Sequence, residues 1–292
     1  MSPFTVSPAA AHELLPACRL LFSDGSAEHC RDRLLVDGEP INLFVARGND
    51  GKLHAAALVQ TLRGASGVSW APRGDSPEAE DAVTTAACEW LRGRGVKVCQ
   101  AFAPASEMAS MAPLERAGFQ HVTQLVFMRH EVDRQRDELR PEDWLDRTLY
   151  LPAFRDEFAK TLLATHENTL DCPELNGGRT DEEIVAGFDL PDRSTATAWH
   201  FLAKLDGQPV GLVMMNPGAE TLELSYLGIV PAARGRGIGD KLMRLVLGAG
   251  CTIFKTITLS VDARNTPAMK LYARHGFFEY ERREVWINSW SV

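Results

Sequence analysis

The sequence predicts a mixed α/β protein built as two domains of the same kind in tandem, and three observations lead there. Residues 111–130 (MAPLERAGFQHVTQLVFMRH) and 269–288 (MKLYARHGFFEYERREVWIN) echo each other. Each reads as a short helix with an apolar face, then Gly-Phe, then a strand. Upstream of each echo lies the same hairpin signal, two apolar runs joined by turn residues. Between hairpin and echo, each half carries a helical period that leads through Gly into a further strand. A chain of 292 residues can bury two such cores without disulfides or metals.

The elements follow in order. The N-terminal stretch MSPFTVSPAAAHELLPACRLLF has no basic segment followed by a long apolar run, and it reads as an amphipathic helix. Asn42 to Arg47 reads as a strand, Asn49-Asp50-Gly51 as a turn and Leu53 to Thr61 as the return strand. Asp81 to Leu91 places Val83, Ala86, Ala87, Trp90 and Leu91 at helical spacing, and Val96 to Phe102 is the next strand. In the second half, Trp199 to Leu205, Asp206-Gly207 and Pro209 to Met215 repeat the hairpin. Leu222, Leu224, Tyr226, Leu227 and Ile229 form an apolar strand that Pro231 ends, because proline cannot continue a ladder. Ile238 to Leu247 is the matching helix and Thr256 to Val261 the matching strand. The charged stretch VDRQRDELRPED suggests the division: a first domain over 1–133, a linker over 134–143 and a second domain over 144–292. A period of about 150 residues means a duplicated domain, since solenoid repeats are much shorter.

Composition narrows the function classes. Lys and Arg number 31 against 39 Asp and Glu, a net charge of −8, so binding to nucleic acid through bulk charge is excluded. A local basic pocket for a small anion remains allowed. The six cysteines (Cys18, Cys30, Cys88, Cys99, Cys172, Cys251) form no CxxC pair and no zinc spacing. No metal is expected, and free thiols point to a reducing compartment, the cytoplasm. No run approaches the ~20 apolar residues of a membrane span.

Chemistry concentrates in residues 221–240, TLELSYLGIVPAARGRGIGD. Arg234-Gly235-Arg236-Gly237-Ile238-Gly239 opens a helix directly after a strand. Glycines permit close backbone approach, unpaired amides at the helix start point outward, and the helix dipole favours negative charge there. Arg234 and Arg236 add cations. The junction therefore reads as a pyrophosphate cradle. It is not a P-loop, because Gly239 is followed by Asp240-Lys241-Leu242. It is not a dinucleotide fingerprint, because the glycines fall at 235, 237 and 239 and the strand follows a hairpin.

With Leu227 to Gly239 and the later segment Asn265-Thr-Pro-Ala-Met-Lys-Leu-Tyr-Ala-Arg-His-Gly-Phe277 in hand, residues 195–290 resemble a GCN5-related N-acetyltransferase (GNAT) domain. The two-domain layout resembles the tandem mycothiol synthase family, from which no acceptor is carried over. The resemblance implies two tandem GNAT-like folds and acetyl-CoA as acyl donor. It implies that the backbones of Leu227, Gly228 and Ile229 hold the pantetheine arm, and that a backbone N–H near Leu227 stabilises the oxyanion. The pyrophosphate would lie on the amides from Gly235 to Asp240, beside Arg234, Arg236, Gly237, Ile238 and Gly239. Asn265 would contact the donor, or simply cap its helix. Tyr272 falls at the family's usual general acid, or else packs in the core with its hydroxyl satisfied. Glu223 is the candidate base, directly or through water, the alternative being an exposed strand charge. Asp171, Glu174 and Asn176 lie in the loop where the family walls its acceptor site. Cys172 has no histidine partner implied and reads as a bystander.

The expected reaction is direct acetyl transfer in a ternary complex to a primary amine, most simply a small molecule. The alternatives are a CoA-binding regulatory module without catalysis, or a protein or peptide N-acetyltransferase. Domain one departs from the pattern. APRGDSPEAED has no RxxGxG, Glu78, Glu80 and Asp81 put carboxylates at the helix start, and Leu114 stands opposite Tyr272. That domain is expected to bind no CoA in the usual mode.

Overall fold

The computed structural model describes residues 3–22, 25–34, 41–139, 145–188 and 199–290. The first half of the chain gives β1 (Thr5–Pro8), α1 (Leu14–Leu21), α2 (Ala27–Leu34), β2 (Ile41–Arg47), β3 (Leu53–Leu62), β4 (Ser66–Ser69), β5 (Arg73–Gly74), α3 (Pro77–Arg92), β6 (Val98–Ala103), α4 (Ala112–Arg116) and β7 (Gln120–Glu131). The second half gives β8 (Asp146–Leu149), α5 (Arg155–His166), α6 (Asp181–Gly187), β9 (His200–Leu205), β10 (Gln208–Pro217), β11 (Thr221–Ile229), α7 (Ile238–Gly250), β12 (Thr256–Asp262), α8 (Thr266–Arg274) and β13 (Phe278–Ser289). This is the predicted mixed α/β order twice over.

The hairpins form where the turn chemistry places them. Asp206 (φ 51°) and Gly207 (φ 75°) are both left-handed between β9 and β10, as a tight hairpin of right-twisted strands requires. The echoed Gly118 (φ 95°) and Gly276 (φ 81°) share the same left-handed conformation. The N-terminal stretch departs from the single predicted helix. Thr5–Pro8 pairs antiparallel with Phe44–Arg47, and the helix begins only at Leu14. Pro3 and Pro8 disfavour a helix interior and are tolerated at a sheet edge.

The chain divides into two compact units, residues 1–123 with 174–188 and 283–292, and residues 124–173 with 189–282. In the first unit the strands run β1-β2-β3-β4-β6, and Glu284–Ser289 of β13 pairs antiparallel with β6. Helix α3 covers one face of this sheet through Ala79, Val83, Ala87 and Leu91, while Ala17, Cys18 and Leu21 of α1 join Leu43, Val45, Ala56 and Leu58 in a separate cluster. In the second unit the order is β7-β12-β11-β10-β9-β8, with Leu125–Glu131 of β7 antiparallel to β12. Its core joins Leu222, Leu224, Ile257, Leu259 and Val261 of the sheet to Leu242, Leu245 and Val246 of α7.

Each unit thus contains a strand encoded in the other half of the sequence, so sequence halves and compact units do not coincide. The expected linker is partly built into the second unit. A side chain on Gly248 would meet Leu139 Cβ at 2.8 Å, and the Asp137 carboxylate holds His130 Nε2 at 2.7 Å and the Asp133 N–H at 2.8 Å. Residues 140–143 of that stretch lie outside the described residues.

One irregularity positions the site. Strands β11 and β12 pair in parallel only from Thr221↔Thr256 to Leu224↔Leu259. Beyond that, β11 keeps to β10 as far as Ile229↔Gly211, and β12 keeps to β7 as far as Asp262↔Leu125. Ser225 is the extra residue of a bulge, between Tyr226 opposite Met214 and Leu224 opposite Met215. A bulge adds local twist, and here β11 turns away from β12 at that point.

Candidate active site

The gap between the two strands widens into an open cleft of about 650 Å³ within the second unit. Its lining includes Leu227, Gly228, Ile229, Arg234, Gly235, Gly237, Ile238, Gly239, Asp240, Asn265 and Tyr272, together with Asp171 from the loop after α5. Of the residues singled out in the sequence, Arg236 and Glu223 do not line it. Glu174 and Asn176 fall in the first compact unit.

The cleft's outer end is the start of α7. Gly237 is its N-cap at φ 75°, and no side chain caps the first turn. The amides of Ile238, Gly239 and Asp240 are therefore left without the usual intrahelical or capping partner. Added Cβ atoms on Gly235 and Gly237 would meet nothing within 4 Å, so the backbone there is open to approach. Arg236 beside it is exposed and makes no ion pair or hydrogen bond among the described residues. The Asp240 carboxylate is turned aside onto Arg274 (3.1 Å) and His275 (3.2 Å). Burial works against its charge, yet those two partners hold its carboxyl below the ordinary range.

Arg234 lines the cleft and is also bonded to backbone on both sides of it. Its guanidinium donates to the carbonyls of Ile229 (3.0 Å), Asn168 (3.3 Å), Thr165 (2.9 Å) and Glu167 (2.8 Å). The last carbonyls of a helix have no intrahelical donor, and a cation there also suits the dipole. Arg234 thus closes the C-terminal end of α5 and fastens it to the end of β11.

Tyr226 folds against Gly228 and shares a hydrogen bond with Thr165 Oγ1 at 2.7 Å. A Cβ on Gly228 would meet Thr165 Oγ1 and Tyr226 Cε1, each at 2.7 Å. Burial pushes the Tyr226 phenol up to about 12. Tyr272, on α8, is 7% exposed, and burial pushes its phenol up as well. Its ring packs near Phe277, and its hydroxyl makes no hydrogen bond among the described residues. Asn265 Oδ1 accepts from the Ala268 N–H at 3.3 Å, so it does cap α8 while lining the cleft.

The loop after α5 is clasped to the end of β12. Asp171 Oδ1 accepts from the Asp262 N–H at 2.8 Å, and the Asp262 carboxylate accepts from the Cys172 N–H at 3.0 Å. Cys172 takes a left-handed conformation (φ 42°) in making that reach. Donor atoms of Asp171, Cys172 and Asp262 lie within 4.8 Å of one another. Asp262 is also engaged by the Arg264 guanidinium at 2.7 Å. Burial pushes the Cys172 thiol up, against any nucleophilic use. Glu223 is exposed on β11 and accepts from Asn216 Nδ2 at 3.3 Å.

Sequence reasoning missed three parts of this site: the Arg234 clamp, the Thr165–Tyr226 pair, and the Asp171–Asp262 clasp. None has a local signal, because each joins segments at least 60 positions apart. The corresponding start of α3 in the first unit is closed by its own side chains. Ser76 Oγ caps the Ala79 N–H at 3.3 Å, and Glu80 Oε1 accepts from the Gly74 N–H at 3.1 Å.

Comparison with known proteins bears on this geometry. The profile of the Acetyltransferase (GNAT) family matches residues 134–277. A mycothiol acetyltransferase of Streptomyces griseus subsp. griseus is 37% identical over 101 residues, covering 32% of this chain and 33% of that protein. The chain thus spans about a third of that relative, and 24% of a mycothiol acetyltransferase from Jonesia denitrificans. A peptidyl-lysine N-acetyltransferase of Salmonella typhimurium is 30% identical over 135 residues, 45% of this chain and 84% of that protein. Among solved structures, a GCN5-related N-acetyltransferase from Sphaerobacter thermophilus superposes with a TM-score of 0.63 at 19% identity, covering 99% and 96% of the two chains. A tandem GNAT protein from the clavulanic acid biosynthesis pathway superposes with a TM-score of 0.54 at 15% identity, covering 98% of each.

Proposed function

The chain belongs to the GNAT acetyltransferase family, and from that premise we propose that its second unit transfers acetyl directly from acetyl-CoA to a primary amine. The carrying observation is the uncapped start of α7 at the mouth of the gap between β11 and β12. An unpaired helix N-terminus favours a phosphate group, and a strand freed on one side favours an extended amide-bearing arm. The same residues fit acetyl-CoA well: Gly235 to Asp240 would hold its pyrophosphate, and the open side of Leu227, Gly228 and Ile229 its pantetheine.

When bound, acetyl-CoA supplies an electrophilic thioester carbonyl and a thiolate leaving group. The chain supplies position and charge. Fixed backbone N–H groups near Leu227 stabilise the developing oxyanion without reorganising. The Tyr272 hydroxyl, held on a largely buried ring that lines the cleft, donates its proton to the departing sulfur. Positioning accounts for much of the remaining rate. No enzyme-bound acetyl intermediate is needed, and Cys172 is unsuited to carry one.

The acceptor is a small amine on this reading. The partly matching mycothiol acetyltransferases support that choice, and the matching peptidyl-lysine N-acetyltransferase makes a lysine side chain the second reading. Calorimetry with CoA should give one site per chain, and Gly237→Glu should abolish it by filling the cradle with a carboxylate. Two equivalent sites, or intact binding by the variant, would remove the cradle from the mechanism. Release of CoA thiol with glucosamine, a cysteinyl amide and a lysine peptide then ranks the acceptor classes.

A further inference from the structure

We propose that Asp171, and not Glu223, receives the proton that the acceptor's ammonium must lose, so that the cleft takes a cationic primary amine. This rests on reading the cleft as an acetyl-transfer site. An amine arrives protonated at neutral pH and cannot attack a carbonyl until it sheds that proton. A base must lie within reach of the nitrogen, directly or through one water.

Elimination narrows the choice. Among the described residues the carboxylates lining the cleft are Asp171 and Asp240. Asp240 stands at the cradle end, held by Arg274 and His275. The Tyr226 hydroxyl is bonded to Thr165. Glu223 lies outside the lining and is turned to Asn216. Asp171 remains. One of its oxygens is fixed by the Asp262 N–H, which orients the carboxylate, and the other makes no hydrogen bond among the described residues.

The groups around it suit the task. Asp262 and Arg264 face it from the end of β12, Tyr226 from β11 and Tyr272 from α8, and Cys172 follows it in the loop. The residue keeps solvent exposure, but its carboxyl end is crowded by protein, and lost hydration raises it above the usual carboxylate range. The Asp262 N–H and Arg264 oppose that rise, and the Asp262 charge adds to it. The result is a carboxylate more basic than an ordinary aspartate. Its charge also helps hold the proton on Tyr272, after the larger effect of burial. Once Asp171 is protonated that charge is gone, and Tyr272 becomes the better acid when the sulfur needs its proton.

The step balances. R–NH3+ passes a proton to Asp171, and the nitrogen lone pair forms the C–N bond at the acetyl carbonyl. Collapse of the tetrahedral species breaks the C–S bond, and the sulfur takes the Tyr272 proton. The second nitrogen proton restores Tyr272, and Asp171 releases its proton to solvent.

Asp171→Asn is the discriminating variant, because its amide oxygen can still accept from the Asp262 N–H. Wild type, Asp171→Asn, Asp171→Glu and Glu223→Gln are compared with the glucosamine, cysteinyl-amide and lysine-peptide probes, alongside CoA calorimetry. We expect Asp171→Asn to lower kcat/KM at least about a hundredfold with CoA affinity retained. The acid limb of its pH profile should vanish, while the limb persists in Glu223→Gln and Asp171→Glu recovers part of the rate. Carbon-detected NMR of aspartate carboxyls gives a readout apart from turnover: the signal missing from Asp171→Asn should titrate above the ordinary ~3.9. Loss of the acid limb in Glu223→Gln but not in Asp171→Asn would overturn the proposal alone. A wild type that binds CoA and acetylates none of the three probes would overturn the transfer reading and this proposal with it.

Discussion

Gly228 shows how little freedom the cleft leaves a single residue. It has Thr165 Oγ1 and Tyr226 Cε1 where a Cβ would stand. Gly228→Ala should force Tyr226 away from Thr165, cost about 1–3 kcal/mol of stability by overpacking, and weaken CoA binding together with it. Paired thermal melts and CoA titrations check this, and a variant as stable as wild type would mean that the tyrosine yields freely. Tyr272→Phe makes the opposite separation: the buried ring stays, the proton goes. Turnover should fall about a hundredfold or more with CoA affinity preserved, and undiminished turnover would remove the phenol from the chemistry. The position of Tyr272 was legible from its spacing to Gly276-Phe277. The environment of Asp171 was not, because a carboxylate's hydration depends on neighbours that only the fold assembles, here the end of β12 some ninety positions away.

At the scale of elements, two arginines of one short motif separate by role. Arg234 closes α5, so Arg234→Ala should lower stability by about 2 kcal/mol through its lost charged hydrogen bonds. Arg236 stands exposed beside the uncapped α7, so Arg236→Ala should leave the melting temperature alone and weaken CoA binding, with an effect that added salt erases. Equal effects from both would show that the clamp is incidental. A second clamp joins the N-cap of α1 to the end of β2: Arg47 Nε donates to Glu13 Oε1 at 2.7 Å, and the Ala10 N–H donates to the same carboxylate. The Arg47 hydrogen bond is the main reason the Glu13 carboxyl drops from 4.5 to about 2. A depressed carboxyl stabilises the fold above its unfolded value and loses that contribution as pH falls. Glu13→Gln should therefore be less stable than wild type at neutral pH, and the two melting curves should converge between about pH 4.5 and 2. Sequence pattern located most of these elements, since Asp206-Gly207 or a run such as Val83-Ala87-Leu91 acts locally. It merged β1 into a helix because the choice there is made by pairing with β2.

For the molecule as a whole, the tandem arrangement was legible because the Gly-Phe echo repeats a local geometry. The exchange of β7 and β13 was not, since strand partners are chosen by tertiary packing and both strands look alike in pattern. The two units also differ in what their equivalent helices offer a phosphate. If the proposed cradle holds, the open start of α7 and the self-capped start of α3 predict one CoA bound per chain, which the calorimetry counts.

The crossed strands carry a consequence for anyone cutting the protein apart. A protease that severed the peptide between residues 134 and 143 would break one covalent bond and liberate nothing, because β12 would still lie on β7 from the front fragment and β6 on β13 from the rear one. The nicked pieces should travel as one species through a sizing column. A rear fragment made on its own would present β12 as a bare edge and trail six strand residues with no neighbour, an invitation to aggregate.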